Sequence, residues 1–102
     1  MRRDQYAKLE IHDHHVIPVP DDSIFVTDKG NGIRRMILFK CPCGCGETMW
    51  LPERISGDTG SGWPTWEFHI SDGKITLVPS VVMLMGCRSH YFIRENKVIW
   101  CN

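Results

Sequence analysis

Three of the five cysteines fall within five residues, in the run Cys41-Pro-Cys-Gly-Cys-Gly46, and the other two, Cys87 and Cys101, stand near the C-terminus. An odd count with no export signal argues against a disulfide framework. Crowded thiols in a reducing compartment point instead to a metal. Zinc is the expected ion: thiolate-rich sites with one imidazole suit it, and no spacing here matches an iron–sulfur run. The run has the ingredients of a zinc knuckle. An apolar strand delivers the chain into Cys41, Pro42 fixes the backbone after the first thiol, and Gly44 and Gly46 permit a tight turn. A ribbon knuckle has C-x-x-C, whereas this segment offers C-x-C twice and C-x-x-x-C once. Spacing therefore does not choose among the three thiols.

Cys87 precedes His90 in C-x-x-H spacing, and Gly86 beside it can supply an unusual backbone angle. A two-residue turn at Glu95-Asn96 would pair Arg94 with Lys97, Phe92 with Ile99 and His90 with Cys101, bringing the last two to one side of a hairpin. Six residues are thus candidate metal ligands: Cys41, Cys43, Cys45, Cys87, His90 and Cys101. The expectation is one Zn2+ held by thiolates of the 41–45 segment with Cys87 and His90, Cys101 being the alternate. Tetrahedral zinc takes four ligands, so at least one candidate is outside the coordination shell or a free thiol unless two ions share ligands. A structural staple is the simpler role, because 102 residues bury only about two-thirds of the surface they expose unfolded. A catalytic zinc would need an open position and a nearby acid or base, for which Glu47 is the nearest candidate in sequence.

Twelve basic and twelve acidic residues cancel, which argues against nucleic acid as a partner. No apolar run approaches the ~20 residues of a membrane span, and the N-terminus opens no signal-peptide core, so a cytoplasmic location is the default. The chain reads as one zinc-binding β domain, 1–102, with an irregular lead-in over 1–22 where Tyr6–Ile11 is open to strand or turn. Short strands are expected at 24–27, 35–40 and 48–51. A hairpin follows through Asp72-Gly73, placing His69 opposite Thr76, and then the hairpin through Glu95-Asn96. Residues 79–85 suit either one helical turn or an extended segment. The fold class is mostly β, with short antiparallel strands and hairpins around a zinc site, zinc-ribbon-like. Ile37, Phe39, Trp50, Leu51, Phe68, Leu77, Phe92, Ile99 and Trp100 are the core candidates, about half of them facing inward by strand alternation. His12, His14 and His15 read as a solvated cluster before a second metal. His69 reads as a sheet residue. Trp63 and Trp66 edge a glycine-rich loop over 57–64, the expected contact surface, although packing on the core is their plainer role.

The run Cys41-Pro-Cys-Gly-Cys-Gly, then Leu77-Val-Pro-Ser80, then Cys87-x-Ser-His-x-Phe-Ile93 and Val98-Ile-Trp-Cys101 resembles a family of small bacterial cysteine-rich proteins. The resemblance covers roughly residues 36 to 101, departing at Glu95-Asn96, where the family often has Asn-Gly. It implies a setting beside bacterial ubiquitin-like proteins, E1-like adenylating enzymes, E2-like conjugating enzymes and JAB-type proteases. The chain is not expected to be the modifier itself, since the sequence Trp100-Cys101-Asn102 offers no glycine tail. The expectation is a zinc-stabilised, non-catalytic interaction module, an adaptor or E3-like partner of an E1-like, E2-like or ubiquitin-like protein. The alternative is a small cysteine- or zinc-dependent enzyme acting on a protein or thioester substrate.

Overall fold

A computed structural model describes residues 3–12, 18–27, 35–54, 64–82 and 87–101, and within them all regular structure is β. The turn-forming cluster at 28–32, the loop carrying Trp63, His14, His15 and residues 83–86 lie outside the described residues. Four strands, β1 (Lys8–His12), β2 (Ser23–Thr27), β3 (Met36–Lys40) and β4 (Thr48–Pro52), form one sheet in sequential order. Between β2, β3 and β4 the pairing is antiparallel, but β1 runs parallel to β2. Strand, rather than turn, is thus the form taken around Leu9, and the lead-in is not irregular throughout.

The central strands are apolar on both faces because both faces are covered. Ile24, Val26, Ile37 and Phe39 enter the main core, whereas Phe25 and Leu38 point the other way and pack with Val19 and Met36. A continuous apolar run, not an alternating one, is what a doubly covered strand requires.

Two hairpins and the short strand beside the second make up the rest of the described strands. β5 (Glu67–Ser71) and β6 (Lys74–Val78) pair in the expected register, His69 opposite Thr76. Asp72 and Gly73 take φ of 54° and 73°, the left-handed pair of a type I′ turn. Short β7 (Val81–Val82) pairs with β8 (His90–Arg94), which pairs with β9 (Lys97–Trp100) through Glu95 and Asn96 at φ 49° and 66°. At its visible start, the 79–85 segment is therefore extended.

Tyr91, Ile93, Val81, Ile75 and Leu77 join Phe39 and Ile37 in the main core. Among the expected core residues, Trp50, Phe92 and Ile99 are instead exposed. Apolar residues occupy both faces of β8 and β9, so alternation alone did not say which set turns inward. The set headed by Tyr91 does, because that face meets β6.

Asn96 makes this docking specific. It is buried in its turn, where its Oδ1 accepts the Ile75 N–H at 2.8 Å and its own N–H donates to the Ile75 carbonyl at 2.9 Å. The substitution Asn96→Gly keeps the left-handed backbone accessible but removes the acceptor. It should cost about 1–3 kcal/mol in denaturant unfolding, the penalty for a buried N–H left unpaired. A midpoint unchanged from wild type would show that the side chain does not tie the hairpins together.

Candidate functional site

Two clusters of chemically active side chains meet at the start of β8. The first is built by the turn between β3 and β4. Gly44 and Gly46, at φ 90° and 88°, let the chain reverse, while the Cys41 N–H donates to the Glu47 carbonyl at 2.8 Å and the Gly44 N–H to the Cys41 carbonyl at 3.2 Å. The reversal gathers three thiols, and Cys87, entering from the segment before β8, supplies a fourth. The sulfurs of Cys41, Cys43, Cys45 and Cys87 all lie within 4.8 Å of one another. Cys41 Sγ stands 3.5 Å from Cys43 Sγ and 3.6 Å from Cys87 Sγ. Four sulfurs each ~2.3 Å from a tetrahedral ion would be about 3.8 Å apart, so the thiols fit one metal ion. Backbone supports the cluster too, the Cys45 N–H pointing at Cys43 Sγ at 3.3 Å.

Burial pushes the Cys41 thiol well above its ordinary range. Cys87 is shifted oppositely: the Ser89 hydroxyl, 3.1 Å from its sulfur, favours the thiolate and holds it at about 6. Ser89 is itself buried and lies 3.9 Å from Cys41 Sγ.

The two remaining ligand candidates stand apart from this group. Cys101 stays beside His90 through the backbone, its N–H donating to the His90 carbonyl at 2.9 Å, as the hairpin register requires. The His90 ring is engaged elsewhere: its Nε2 lies 2.9 Å from Ser80 Oγ.

That contact is the second cluster. Val82 pairs with His90 across β7–β8, so Ser80, two residues earlier, emerges on the same side of the sheet as the imidazole. Both side chains are half-buried. The serine is also anchored from behind. Trp66, buried and hydrogen-bonded by its backbone to Pro52 and Arg54, donates its indole N–H to the Ser80 carbonyl at 3.2 Å. Trp66 is thus a packed support and not part of an exposed contact surface, while Trp63 lies outside the described residues. Glu47 is exposed and meets Cys41 through its backbone. His69 is an exposed sheet residue beside Glu67.

A serine hydroxyl within hydrogen-bond reach of an imidazole is an arrangement able to generate an alkoxide-like nucleophile. A family model described as bacterial ubiquitination-like system serine protease (BubE) matches residues 10–101. The chain belongs to the BubE family. No curated protein and no solved structure matches it. The family links the chain to bacterial ubiquitin-like systems, as the sequence motifs imply, and it corrects the expectation of a non-catalytic interaction module without turnover. The BubE description favours the enzyme alternative instead. Sequence reasoning passed over Ser80 because the serine has no G-x-S-x-G elbow around it. Its signal was position: Ser80 ends the run Leu77-Val-Pro-Ser80, and His90 lies within the next run that carries the resemblance, Cys87-x-Ser-His-x-Phe-Ile93.

Among the described residues no helix is long and apolar enough to cross a membrane.

Proposed function

We propose that this chain is a serine protease of a bacterial ubiquitin-like system, with Ser80 as nucleophile and His90 as general base. The 2.9 Å contact between Ser80 Oγ and His90 Nε2 carries this reading. In the first step Nε2 takes the hydroxyl proton while Oγ bonds the substrate carbonyl carbon. Collapse of the tetrahedral adduct breaks the scissile bond, and the departing amine or alcohol leaves with the proton from Nε2. Water then attacks the acyl-serine, again giving a proton to His90, and releases the acid as Oγ recovers its hydrogen. Substrates in this reading are a ubiquitin-like protein or its conjugates, made by E1-like and E2-like partners.

The four-thiol cluster is assigned to zinc, held by Cys41, Cys43, Cys45 and Cys87. Thiolates in that number fill a tetrahedral ion and fix its surroundings, the chemistry of a structural site. His90 then remains free to act on Ser80.

An active-site-directed fluorophosphonate tests the nucleophile. Intact mass spectrometry should find a single adduct that peptide mapping places on Ser80. Labelling should disappear in Ser80→Ala and fall steeply in His90→Ala. An adduct on another serine, or equal labelling of all three proteins, would reject the assignment.

A further inference from the structure

Ser80 and His90 lie at one end of a sheet face that the core does not use. Alternation along β8 puts His90, Phe92 and Arg94 on this face, and the cross-strand register adds Val82, Ile99 and Lys97. Its middle is apolar and open to solvent, with Val82, Phe92 and Ile99 exposed by 46%, 36% and 41%. At the far end Arg94 and Lys97 are directly opposed and both exposed. Directly opposed like charges oppose folding. Among the described residues no carboxylate lies within ion-pair distance of either. Folding alone favours neither the open apolar strip nor the unneutralised cation pair.

We infer that this face is the substrate-docking surface, and that it takes an extended peptide with an apolar residue beside the scissile bond and an acidic residue about four positions away. The inference rests on the proposed hydrolase reading for which end reacts. Length follows from geometry: His90 and Arg94 are four residues apart on one strand, and an extended substrate advances by the same ~3.3 Å per residue. Charge follows from Arg94 and Lys97, which an acidic side chain would neutralise together. Apolar character follows from the strip between the two ends.

Binding can be measured without turnover in the full-length Ser80→Ala chain. Two fluorescein-labelled peptides of serine and alanine, each with a central leucine, would carry either glutamate or lysine four residues to both sides. Fluorescence anisotropy at 50 mM salt should show the glutamate peptide binding at least about tenfold tighter, with most of that advantage lost at 0.5 M salt. In the Arg94→Glu/Lys97→Glu background the preference should reverse. Equal affinity for the two peptides, or a preference unmoved by charge reversal, would overturn the docking surface. Failure of the catalytic reading looks different: the peptide preference and its reversal persist, while the wild-type chain leaves both peptides uncut and reacts with no fluorophosphonate.

Discussion

Changing Ser80 to alanine should lower kcat for a cleavable ubiquitin-like substrate by about 10⁴-fold or more, with KM little altered. The expected loss is large because, in the proposed mechanism, Oγ is the atom that bonds the carbonyl and His90 Nε2 is the group that takes its proton. His90→Ala should fall into the same range, and the double variant should be scarcely worse than either single one. Residues acting as one unit lose their joint contribution once. The melting temperature of Ser80→Ala should stay within about 2 °C of wild type, because a half-buried hydroxyl contributes little to the core. Additive losses in the double variant, or substantial turnover in Ser80→Ala, would separate the two residues from a common chemistry.

The second large effect concerns stability. Stripping the cluster of Cys41, Cys43, Cys45 and Cys87 with a strong chelator should unfold the chain or lower its melting temperature by at least about 15 °C. Structural zinc contributes on the order of 10 kcal/mol or more to small domains, more than the net stability of most. Cys87→Ser should reproduce much of this loss, whereas Cys101→Ser, outside the four-thiol group, should not. Elemental analysis of protein purified without added metal should give about one zinc per chain. A melting curve that is unchanged after verified metal removal would show that packing alone holds the fold.

Local chemistry made the two hairpins readable. Asp72-Gly73 supplies two residues that tolerate positive φ and Glu95-Asn96 one, Asn96, and a two-residue turn fixes the register of everything outward from it. The knuckle at 41–46 was readable for the same reason, its glycines falling where the chain must reverse. Parallel pairing of β1 with β2 was not, because no turn between neighbouring residues specifies it. Nor could alternation say which face of β8 is inside: Tyr91 and Ile93 on one side and Phe92 on the other are equally apolar. That ambiguity sent Phe92 and Ile99 to the core, although both lie on the open face beside the serine–histidine pair. The site suffered from a related ambiguity. C-x-x-H spacing suits a metal, and only the three-dimensional meeting of β7 with β8 turns the His90 ring to Ser80.

The thiols also set an order of events for a chain emerging from the ribosome. Cys41, Cys43 and Cys45 are made together and are gathered by their own turn, so three-quarters of the donor set exists before the second half of the chain is translated. The fourth donor arrives 46 residues after Cys41, and the imidazole follows three residues behind it. Ser80 is therefore synthesised before His90, and the segment that brings Cys87 to the other three thiols is the one that carries His90 alongside the serine. On the proposed reading, a nascent or incompletely closed chain carries an idle serine, and hydrolysis waits until the fold is finished.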